Sequence, residues 1–277
     1  MELRPAPTVR LPHGASIPQI GLGTWPMDNA QTADAVVTAI EVGYRLFDTA
    51  QNYGNEEGVG EGIRRSGIGR AELFVSTKFN KEFHSVNGVR QAFANSCARL
   101  GVDYIDLLTV HWPIPDQNTY DDAVRGLTQL LDEGLIKAVG VSNFKPGHLQ
   151  RLFDEGLTVD VNQIQLDPRH TRDAIREVHG EHGIRTMSWS PIGRDSGLRE
   201  EPVIVELATK YGKTPSQIIL SWHLQQGFIP IPKASSRLHL EENLDIFDFE
   251  LSEDEVQQLL AMDTGETDIL QPETFGH

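Results

Sequence analysis

A carboxylate, a phenol, an ammonium group and an imidazole stand at or just after successive apolar runs of the sequence. They are Asp48, Tyr53, Lys78 and His111. A carboxylate keeps a neighbouring lysine charged, and that charge lowers the pKa of a neighbouring phenol. We therefore expect Asp48 to hold Lys78, and Lys78 to acidify Tyr53. Tyr53 could then give a proton to a carbonyl oxygen as hydride reaches the carbon, with His111 orienting or sharing that proton.

Short apolar runs alternate with amphipathic stretches along the chain, and this alternation positions the four side chains. The predicted strands are residues 19–25, 45–50, 73–79, 104–112, 138–143, 161–165, 185–191 and 228–233. The predicted helices are residues 31–42, 56–66, 86–99, 121–132, 145–154, 171–182 and 200–224, the last divided in two by a new helix start at Thr214-Pro215. Strands that are apolar on both faces and separated by helices form a buried parallel sheet. Eight of them predict an α/β fold, a closed (β/α)8 TIM barrel with its strand ends at one mouth.

The alternative fold is a doubly wound sheet that binds a dinucleotide at a glycine-rich turn. The run from Gly21 to Pro26 lacks the third glycine of that motif, and the glycines within residues 58–62 have the wrong spacing and fall in a predicted helix. Both observations favour the barrel. Residues 9–17 predict a small β-hairpin at the barrel floor, and residues 1–277 are expected to form one barrel domain.

The composition disfavours several classes of protein. A net charge of −16, from 40 acidic and 24 basic side chains, argues against nucleic acid or an anionic membrane as a partner. There is no signal-peptide pattern or membrane-spanning run, and the lone Cys97 cannot form an internal disulfide, so we expect a cytoplasmic protein. Residues 238–277 contain many acids but no Lys or Arg. A solvated acidic face is the simpler interpretation, and a partner-binding tail is the alternative.

Other reactive side chains do not form a recognisable site. His179 and His182 are three residues apart on a helix expected to be exposed, and nothing completes a metal-ligand set, so no metal is expected. The chain lacks the G-x-S-x-G sequence of serine hydrolases. Cys97 lies in a predicted helix with no sign of activation.

Several motifs, in order through essentially the whole chain, closely resemble the aldo-keto reductase family. They are Phe47-Asp48-Thr49-Ala50, Tyr53-Gly54-Asn55-Glu56, Thr77-Lys78, His111-Trp112-Pro113, Gly140-Val141-Ser142-Asn143-Phe144 and Ile229-Pro230-Ile231-Pro232-Lys233. The short bacterial members of the 2,5-diketo-gluconate reductase type are the most similar. The resemblance implies a monomeric barrel that binds NADP(H) across its mouth and reduces aldehydes or ketones to alcohols. It also implies that Asp48, Tyr53, Lys78 and His111 are the catalytic residues.

The resemblance further implies a set of cofactor-binding residues. Around the nicotinamide and pyrophosphate these are Gly23, Thr24, Ser142, Asn143, Gln163, Trp189, Ser190, Pro191, Ile192, Gly193 and Arg194. Around the 2′-phosphate and adenine they are Lys233, Ala234, Ser235, Ser236, Arg237, His239, Glu242 and Asn243. Ala234 replaces the usual Ser, and His239 stands where relatives commonly have Arg. We therefore expect NADPH to be preferred and NADH to be used measurably.

The substrate site is expected to be open. Trp25 and Trp112 match positions that wall this site in the family, whereas Asn80 lies where many relatives have Trp. The chain ends soon after its last helix, so residues 271–277 are expected to cover little of the mouth. Small carbonyl compounds, including polar ones, are the expected substrates. The alternative function is a cofactor-binding regulatory subunit of the same fold with little turnover.

Overall fold

Eight parallel strands form the centre of the molecule, and two antiparallel strands precede them. The structure, a computed structural model, describes residues 5–267 and 269–275. The strands are β1 (Thr8–Arg10), β2 (Ser16–Pro18), β3 (Leu22–Gly23), β4 (Leu46–Asp48), β5 (Phe74–Phe79), β6 (Ile105–Val110), β7 (Ile136–Ser142), β8 (Val161–Gln165), β9 (Arg185–Trp189) and β10 (Ile229–Ile231). Strands β3 to β10 pair in sequence order, as a barrel requires.

The barrel closes between its first and last strands. The backbone N–H groups of Gly21 and Gly23 donate to the carbonyl oxygens of Pro230 and Pro232, each at 3.1 Å. A Cβ atom at Gly23 would lie 3.0 Å from the carbonyl oxygen of Ile231, so the absence of a side chain permits this close approach. The predicted (β/α)8 barrel is confirmed, and the doubly wound alternative is wrong.

Ten helices in the described residues surround or follow the strands. They are α1 (Asn29–Val42), α2 (Glu56–Ser66), α3 (Val86–Leu100), α4 (Tyr120–Asp132), α5 (Pro146–Asp154), α6 (Asp173–His182), α7 (Pro202–Tyr211), α8 (Pro215–Gln225), α9 (Arg237–Leu244) and α10 (Glu253–Leu260). The predicted division at Thr214 is confirmed, since its side chain caps α8 in a capping box, and Ser252 caps α10 in the same way. Helix α9 was not predicted. No helix in the described part of the chain is long and apolar enough to cross a membrane.

The hairpin of β1 and β2 covers the barrel floor, as predicted. Leu11 and Ile17 are buried in a cluster with side chains near the starts of the barrel strands, including Leu46. The carboxylate of Asp160 fixes the hairpin turn, because it accepts hydrogen bonds from the backbone N–H of His13 and of Val139, both at 2.8 Å. The open end of the barrel is therefore the mouth formed by the strand ends.

The glycines of α2 serve helix packing. A Cβ atom at Gly58 would lie 2.4 Å from the backbone oxygen of Asn29 in α1, and one at Gly60 would lie 2.1 Å from that of Leu100 in α3. The backbone of α2 therefore approaches both neighbouring helices closely. Because α2 begins three residues after Tyr53, this packing also fixes the segment that carries the phenol.

Replacing Gly60 with alanine should destabilise the protein. The added methyl group would overlap the end of α3, and overpacking of this kind costs about 1–3 kcal/mol. Gly180 is the matched control, because it is exposed in α6 and a Cβ there meets no atom within 4 Å. Gly180→Ala should stabilise by about 0.5–1 kcal/mol through helix propensity. Urea denaturation measures both changes, and equal effects of the two substitutions would contradict this account of α2.

Candidate active site

A buried ion pair lies at the mouth end of β4 and β5. The Nζ atom of Lys78 donates to Oδ2 of Asp48 at 2.6 Å and to the backbone oxygen of Thr49 at 3.0 Å. Ser76 donates to the other carboxylate oxygen of Asp48 at 2.8 Å. Lys78 is 0% exposed and Asp48 is 4% exposed. The pair is thus shielded from water, and Ser76 and the Thr49 backbone provide further hydrogen bonds to it.

The phenol of Tyr53 lies beside this pair. Lys78 Nζ is 5.2 Å from the centroid of the Tyr53 ring, and the imidazole of His111 meets the same ring edge-on with centroids 5.8 Å apart. Tyr53 belongs to a short 3-10 turn, Gln51–Tyr53, that follows β4. The structure therefore brings together the four residues that the sequence singled out.

The electrostatics differ from the sequence expectation in one respect. Burial raises the pKa of the Tyr53 phenol, and the positive charge of Lys78 opposes this effect without outweighing it. Lys78 thus lowers the pKa of Tyr53 as expected, but burial makes the net shift an upward one. Burial acts to lower the pKa of Lys78, but the charge of Asp48 and the contact with Tyr53 raise it overall. Tyr53 keeps its proton and Lys78 keeps its charge at neutral pH.

Two buried residues that sequence reasoning did not assign to the site hold the Tyr53 segment. The amide of Asn55 accepts a hydrogen bond from the Thr49 hydroxyl at 2.7 Å and donates to the backbone oxygen of Met27 at 2.8 Å. The carboxylate of Glu56 accepts from the Thr77 hydroxyl at 2.6 Å and also contacts Arg99. Both residues belong to the Tyr53-Gly54-Asn55-Glu56 motif, which was the available signal in the sequence. Their burial depends on contacts with distant parts of the chain.

Polar side chains at the ends of β7 and β8 lie next to this group. The Ser142 hydroxyl donates to the backbone oxygen of Gln163 at 2.8 Å, and the Asn143 amide donates to the backbone oxygen of His111 at 3.2 Å. The indole of Trp189 donates to Oδ1 of Asn143 at 2.9 Å. The Gln163 amide nitrogen donates to the thioether sulfur of Met187, which is a weak acceptor. The oxygen of a carboxamide would accept a stronger hydrogen bond from the Gln163 amide than this sulfur does.

The loop after β9 turns over the mouth. Ser190, Gly193 and Arg194 have positive φ values of 53°, 75° and 50°. The guanidinium of Arg194 lies 5.1 Å from the ring centroid of Trp25 and 5.2 Å from that of Trp189. Pro191 is buried, and its backbone oxygen is 3.0 Å from Nε2 of His223. Ile192 is half-buried in the same loop. This geometry brings a cation and an aromatic face to the side of the mouth next to Ser142.

The segment after β10 provides a second cation. Lys233 is exposed, its Nζ atom is 3.5 Å from the Ser235 hydroxyl, and it makes no ion pair within the described residues. Gly23 lies beside it across the barrel closure, and Thr24 follows, buried and bonded to the Asp48 backbone oxygen at 3.0 Å.

Other predicted phosphate and adenine residues have different surroundings. Arg237 forms ion pairs with Glu41 and Glu241, and the Ser236 hydroxyl caps α9 by accepting from the backbone N–H of His239. The remaining members differ in exposure: His239 is exposed, Glu242 is half-buried, and Ala234 and Asn243 are buried. Lys233 is thus the cation of this group that no acidic side chain engages among the described residues. An aromatic face, amide partners and such a cation together fit a phosphorylated dinucleotide.

The substrate end of the mouth is more covered than predicted. Trp112 is buried, and its ring lies 4.9 Å from that of Phe275 near the end of the chain. Glu273 forms an ion pair with Lys145 at 2.8 Å. The expectation that residues 271–277 cover little of the mouth is therefore wrong for the described residues 271–275; residues 276 and 277 lie outside them. Trp25, in contrast, is 50% exposed at the rim.

One expectation outside the mouth is also wrong. His179 is not solvated: it is buried, with Nδ1 2.8 Å from the Thr186 hydroxyl, and burial lowers its pKa to about 3. Within residues 5–267 and 269–275 no group of three His, Cys, Asp or Glu is placed to hold a metal ion. Cys97 is half-buried in α3, and burial raises its thiol pKa to about 11. A cavity of about 650 Å³ between α6 and α10 has none of the predicted site residues in its lining.

Comparison with known proteins agrees with this geometry. The model of the Aldo/keto reductase family matches residues 19–264. The chain belongs to this family. It is 43% identical over 273 residues to methylglyoxal reductase DkgA of Escherichia coli, with 98% of each chain covered.

Two solved structures are similar throughout. An aldo/keto reductase from Brucella melitensis has a TM-score of 0.89 and 42% identity, covering 93% of this chain and 100% of the other. An aldo-keto reductase from Bombyx mori, solved in complex with NADP, has a TM-score of 0.88 and 33% identity, covering 94% and 93%. The barrel and its mouth are therefore shared with other members of the family.

Buried histidines should make this aldo/keto reductase sensitive to acid. Burial lowers the pKa of His84 to about 4, of His179 to about 3 and of His223 to about 4. The unfolded chain binds these protons near pH 6.5, so between about pH 6.5 and 4 it holds more protons than the folded state. As the pH is lowered through this range, the free energy of unfolding should therefore decrease by at most about 1.4 kcal/mol per pH unit for each histidine.

Urea denaturation at several pH values measures this slope. Burial also lowers the pKa of His148, whereas His170 contributes with the opposite sign because hydrogen bonding to Asp167 raises its pKa, so the net effect is that of four histidines against one. His223→Gln should reduce the slope, whereas the control His182→Gln, at an exposed position, should not. A free energy of unfolding that stays constant from pH 7 to 5 would contradict the prediction.

Proposed function

We propose that this member of the family reduces small aldehydes and ketones to alcohols with NADPH. The observation that carries the proposal is the Tyr53 phenol, held in its protonated form beside the buried Lys78–Asp48 pair and next to His111. A neutral phenol is a suitable general acid for an oxygen that gains negative charge. The NADP complex of the Bombyx mori relative and the methylglyoxal reductase name of the Escherichia coli relative support the same chemistry.

The residues around the mouth would bind the coenzyme in an extended form. NADPH, when bound, supplies the hydride. Ser142, Asn143 and Gln163 would hold its carboxamide, and Trp189 would stack on the nicotinamide. Arg194 carries positive charge next to the place where the pyrophosphate would lie, and Lys233 would bind the 2′-phosphate through a charge-assisted hydrogen bond.

Proton transfer would follow a short path within the chain. Tyr53 donates its proton to the carbonyl oxygen of the substrate. The ammonium of Lys78 then stabilises the phenolate, and Asp48 keeps that ammonium charged. His111, whose ring meets that of Tyr53, would orient the carbonyl oxygen towards the phenol. Reduction therefore requires the protonated phenol, which is the form favoured at neutral pH.

A cofactor-binding regulatory subunit is the second candidate. This role needs the coenzyme residues but not the buried ion pair, whose two charges must be desolvated on folding. The complete set of four therefore favours an enzyme. Tight NADPH binding without oxidation of NADPH by a reactive aldehyde would favour the subunit instead.

We propose that residues 1–277 act as one barrel domain, as a monomer in the cytoplasm. The need for a reduced coenzyme and the single free cysteine support this location. The net charge of −16 supports a function without nucleic acid or an anionic membrane as partner.

Tyr53→Phe should abolish most of the activity while leaving the fold and coenzyme binding intact. It removes only the hydroxyl, and general acid catalysis is worth about 10²–10⁴-fold, so kcat should fall by that order. The measurement is NADPH oxidation with 4-nitrobenzaldehyde, together with NADPH titration by tryptophan fluorescence. Tyr104→Phe is the control, because the Tyr104 hydroxyl donates to the backbone oxygen of Arg70 just before β6 begins, at the end of the strand away from the mouth. Turnover by Tyr53→Phe at the wild-type rate would overturn the proton-donor assignment.

The coenzyme preference should depend on position 239. Wild-type protein should prefer NADPH but use NADH measurably. Lys233 would be the main charged contact of the 2′-phosphate, because Arg237, the other permanent cation of this group, is paired with Glu41. His239→Arg should increase the ratio of kcat/KM for NADPH over NADH by on the order of tenfold, because it adds a charged hydrogen-bond donor. Lys233→Met should decrease the same ratio. An equal or higher kcat/KM with NADH in the wild type would contradict the preference.

A further inference from the structure

The cavity of about 650 Å³ between α6 and α10 lies away from the barrel mouth. The start of β9 forms its inner wall, because the strands lie inside the layer of helices. One face of α6 forms another wall, since the lining residues of this helix recur every three or four positions: Asp173, Arg176, Glu177 and Gly180. Pockets that hold small molecules have volumes of about 300–1,000 Å³, and this cavity falls within that range.

Thr186 points from β9 towards this cavity. The next residue, Met187, packs inside the barrel with Leu46, whereas Ser188 contacts His223 of α8 at 3.2 Å on the outside. Side chains alternate between the two faces of a strand, so Thr186 faces outwards like Ser188. Thr186 lines the cavity although it is only 6% exposed.

The Thr186 hydroxyl has a proton to donate. The Asn162 amide is oriented by Phe144, because its nitrogen donates to the Phe144 oxygen at 2.9 Å and its oxygen accepts from the Phe144 N–H at 3.4 Å. The same nitrogen donates to Nε2 of His179 at 3.0 Å. The proton of this neutral imidazole is therefore on Nδ1, which donates to the Thr186 oxygen at 2.8 Å. The hydroxyl proton has no acceptor among the described residues, and an unpaired buried donor indicates a further binding partner.

Two further donors lie beside the inner wall. The half-buried guanidinium of Arg176 lies 4.9 Å from the ring centroid of Phe228 and donates to Asp173 at 2.8 Å and to the backbone oxygen of Thr171 at 3.3 Å. The Asp173 side chain is 81% exposed, and ion pairs with such exposed carboxylates are weak. Oε1 of Gln226 is 3.5 Å from Arg176, and its amide nitrogen makes no hydrogen bond within the described residues. The inner side of the cavity therefore offers donors and a positive charge to an anionic group.

The outer rim of the cavity carries negative charge. Glu177 and Asp263 line it, are exposed and form no ion pair in the described part of the chain. The Asp263 carboxylate accepts from the backbone N–H of Thr171 at 2.8 Å and of Gly265 at 3.2 Å, and each oxygen can accept a further hydrogen bond. An anion alone would be repelled at this rim, and a cation alone would be repelled by Arg176. A ligand with separated charges of both signs complements both sides.

We propose that this cavity binds a small zwitterion of the amino acid type, with its carboxylate inwards and its ammonium group at the rim. The carboxylate accepts hydrogen bonds from the Arg176 guanidinium, the Thr186 hydroxyl and the Gln226 amide. The ammonium group donates to Asp263 and Glu177. Hydrogen bonds between charged groups are shorter and stronger than neutral ones, so both ends of the ligand contribute to binding. The site is separate from the mouth, and the inference does not depend on the proposed function.

The test compares 4-aminobutyrate with butyrate and butylamine, each of which lacks one of the two charges. Isothermal titration calorimetry with the full-length protein measures the three affinities, with and without NADPH. 4-Aminobutyrate should bind at one site with a millimolar Kd, about tenfold or more tighter than either analogue, because each analogue loses charged hydrogen bonds. NADPH should leave this affinity unchanged. The proposal is overturned if 4-aminobutyrate shows no saturable binding up to tens of millimolar, or if either analogue binds as tightly.

Substitution of the cation locates the bound probe. Arg176→Gln should weaken the binding of 4-aminobutyrate about tenfold or more, because it removes the charged donor of the inner side. Arg64→Gln is the matched control: Arg64 pairs with Glu61 three residues before it on α2, as Arg176 pairs with Asp173 on α6, but it does not line this cavity. The control should bind the probe as the wild type does. Wild-type affinity in Arg176→Gln would contradict the site.

Asp263→Asn tests the ammonium end of the ligand. It keeps an oxygen acceptor and the shape of the side chain but removes the charge, so it should lower the preference for 4-aminobutyrate over butyrate without weakening butyrate. Thermal unfolding shows that each variant is folded. An unchanged preference in Asp263→Asn would overturn the assignment of the rim. Inhibition by 4-aminobutyrate that is competitive with 4-nitrobenzaldehyde would place the probe in the mouth and overturn the site.

Discussion

The buried ion pair of Asp48 and Lys78 is the interaction on which the site depends. Two charges removed from water are tolerated only when their remaining hydrogen-bonding groups are satisfied, and breaking such a pair costs about 3–5 kcal/mol. Here Ser76 and the Thr49 backbone provide the additional hydrogen bonds. The adjacency of β4 and β5 is thus required by the chemistry as well as by the barrel. The pair also presents a fixed positive charge to the Tyr53 phenol.

The position of the phenol follows from packing further out. Asn55 ties the segment after Tyr53 to the loop before α1, and Glu56 ties it to β5 and α3. The glycines of α2 let that helix lie close against its two neighbours. Small changes in helix packing would therefore move Tyr53 relative to Lys78. A proton donor that must lie within hydrogen-bond reach of its substrate depends on such support.

The acidic C-terminal region has a structural role. Several of its carboxylates pair with cations elsewhere in the chain, so the solvated acidic face describes only part of it. The pairs are Lys213–Asp245, Lys210–Glu255, Arg172–Glu266 and Lys145–Glu273. These ion pairs connect residues 245–273 to cations at positions 145–213 of the barrel. Phe275 packs on Trp112, so the end of the described chain forms a wall of the mouth.

The sequence by itself determined the barrel, the floor hairpin, the helix start at Thr214 and the group formed by Asp48, Tyr53, Lys78 and His111. These features depend on local periodicity, on capping residues next to their helices and on motifs at strand ends, all of which lie within a few neighbouring residues. Tertiary structure decided what depends on distant contacts. Burial outweighs the charge of Lys78 at Tyr53, His179 lies in the interior, and Arg237 is engaged by Glu41. A side chain's pKa and free hydrogen-bonding capacity depend on atoms brought together only by folding, so no local pattern could predict them.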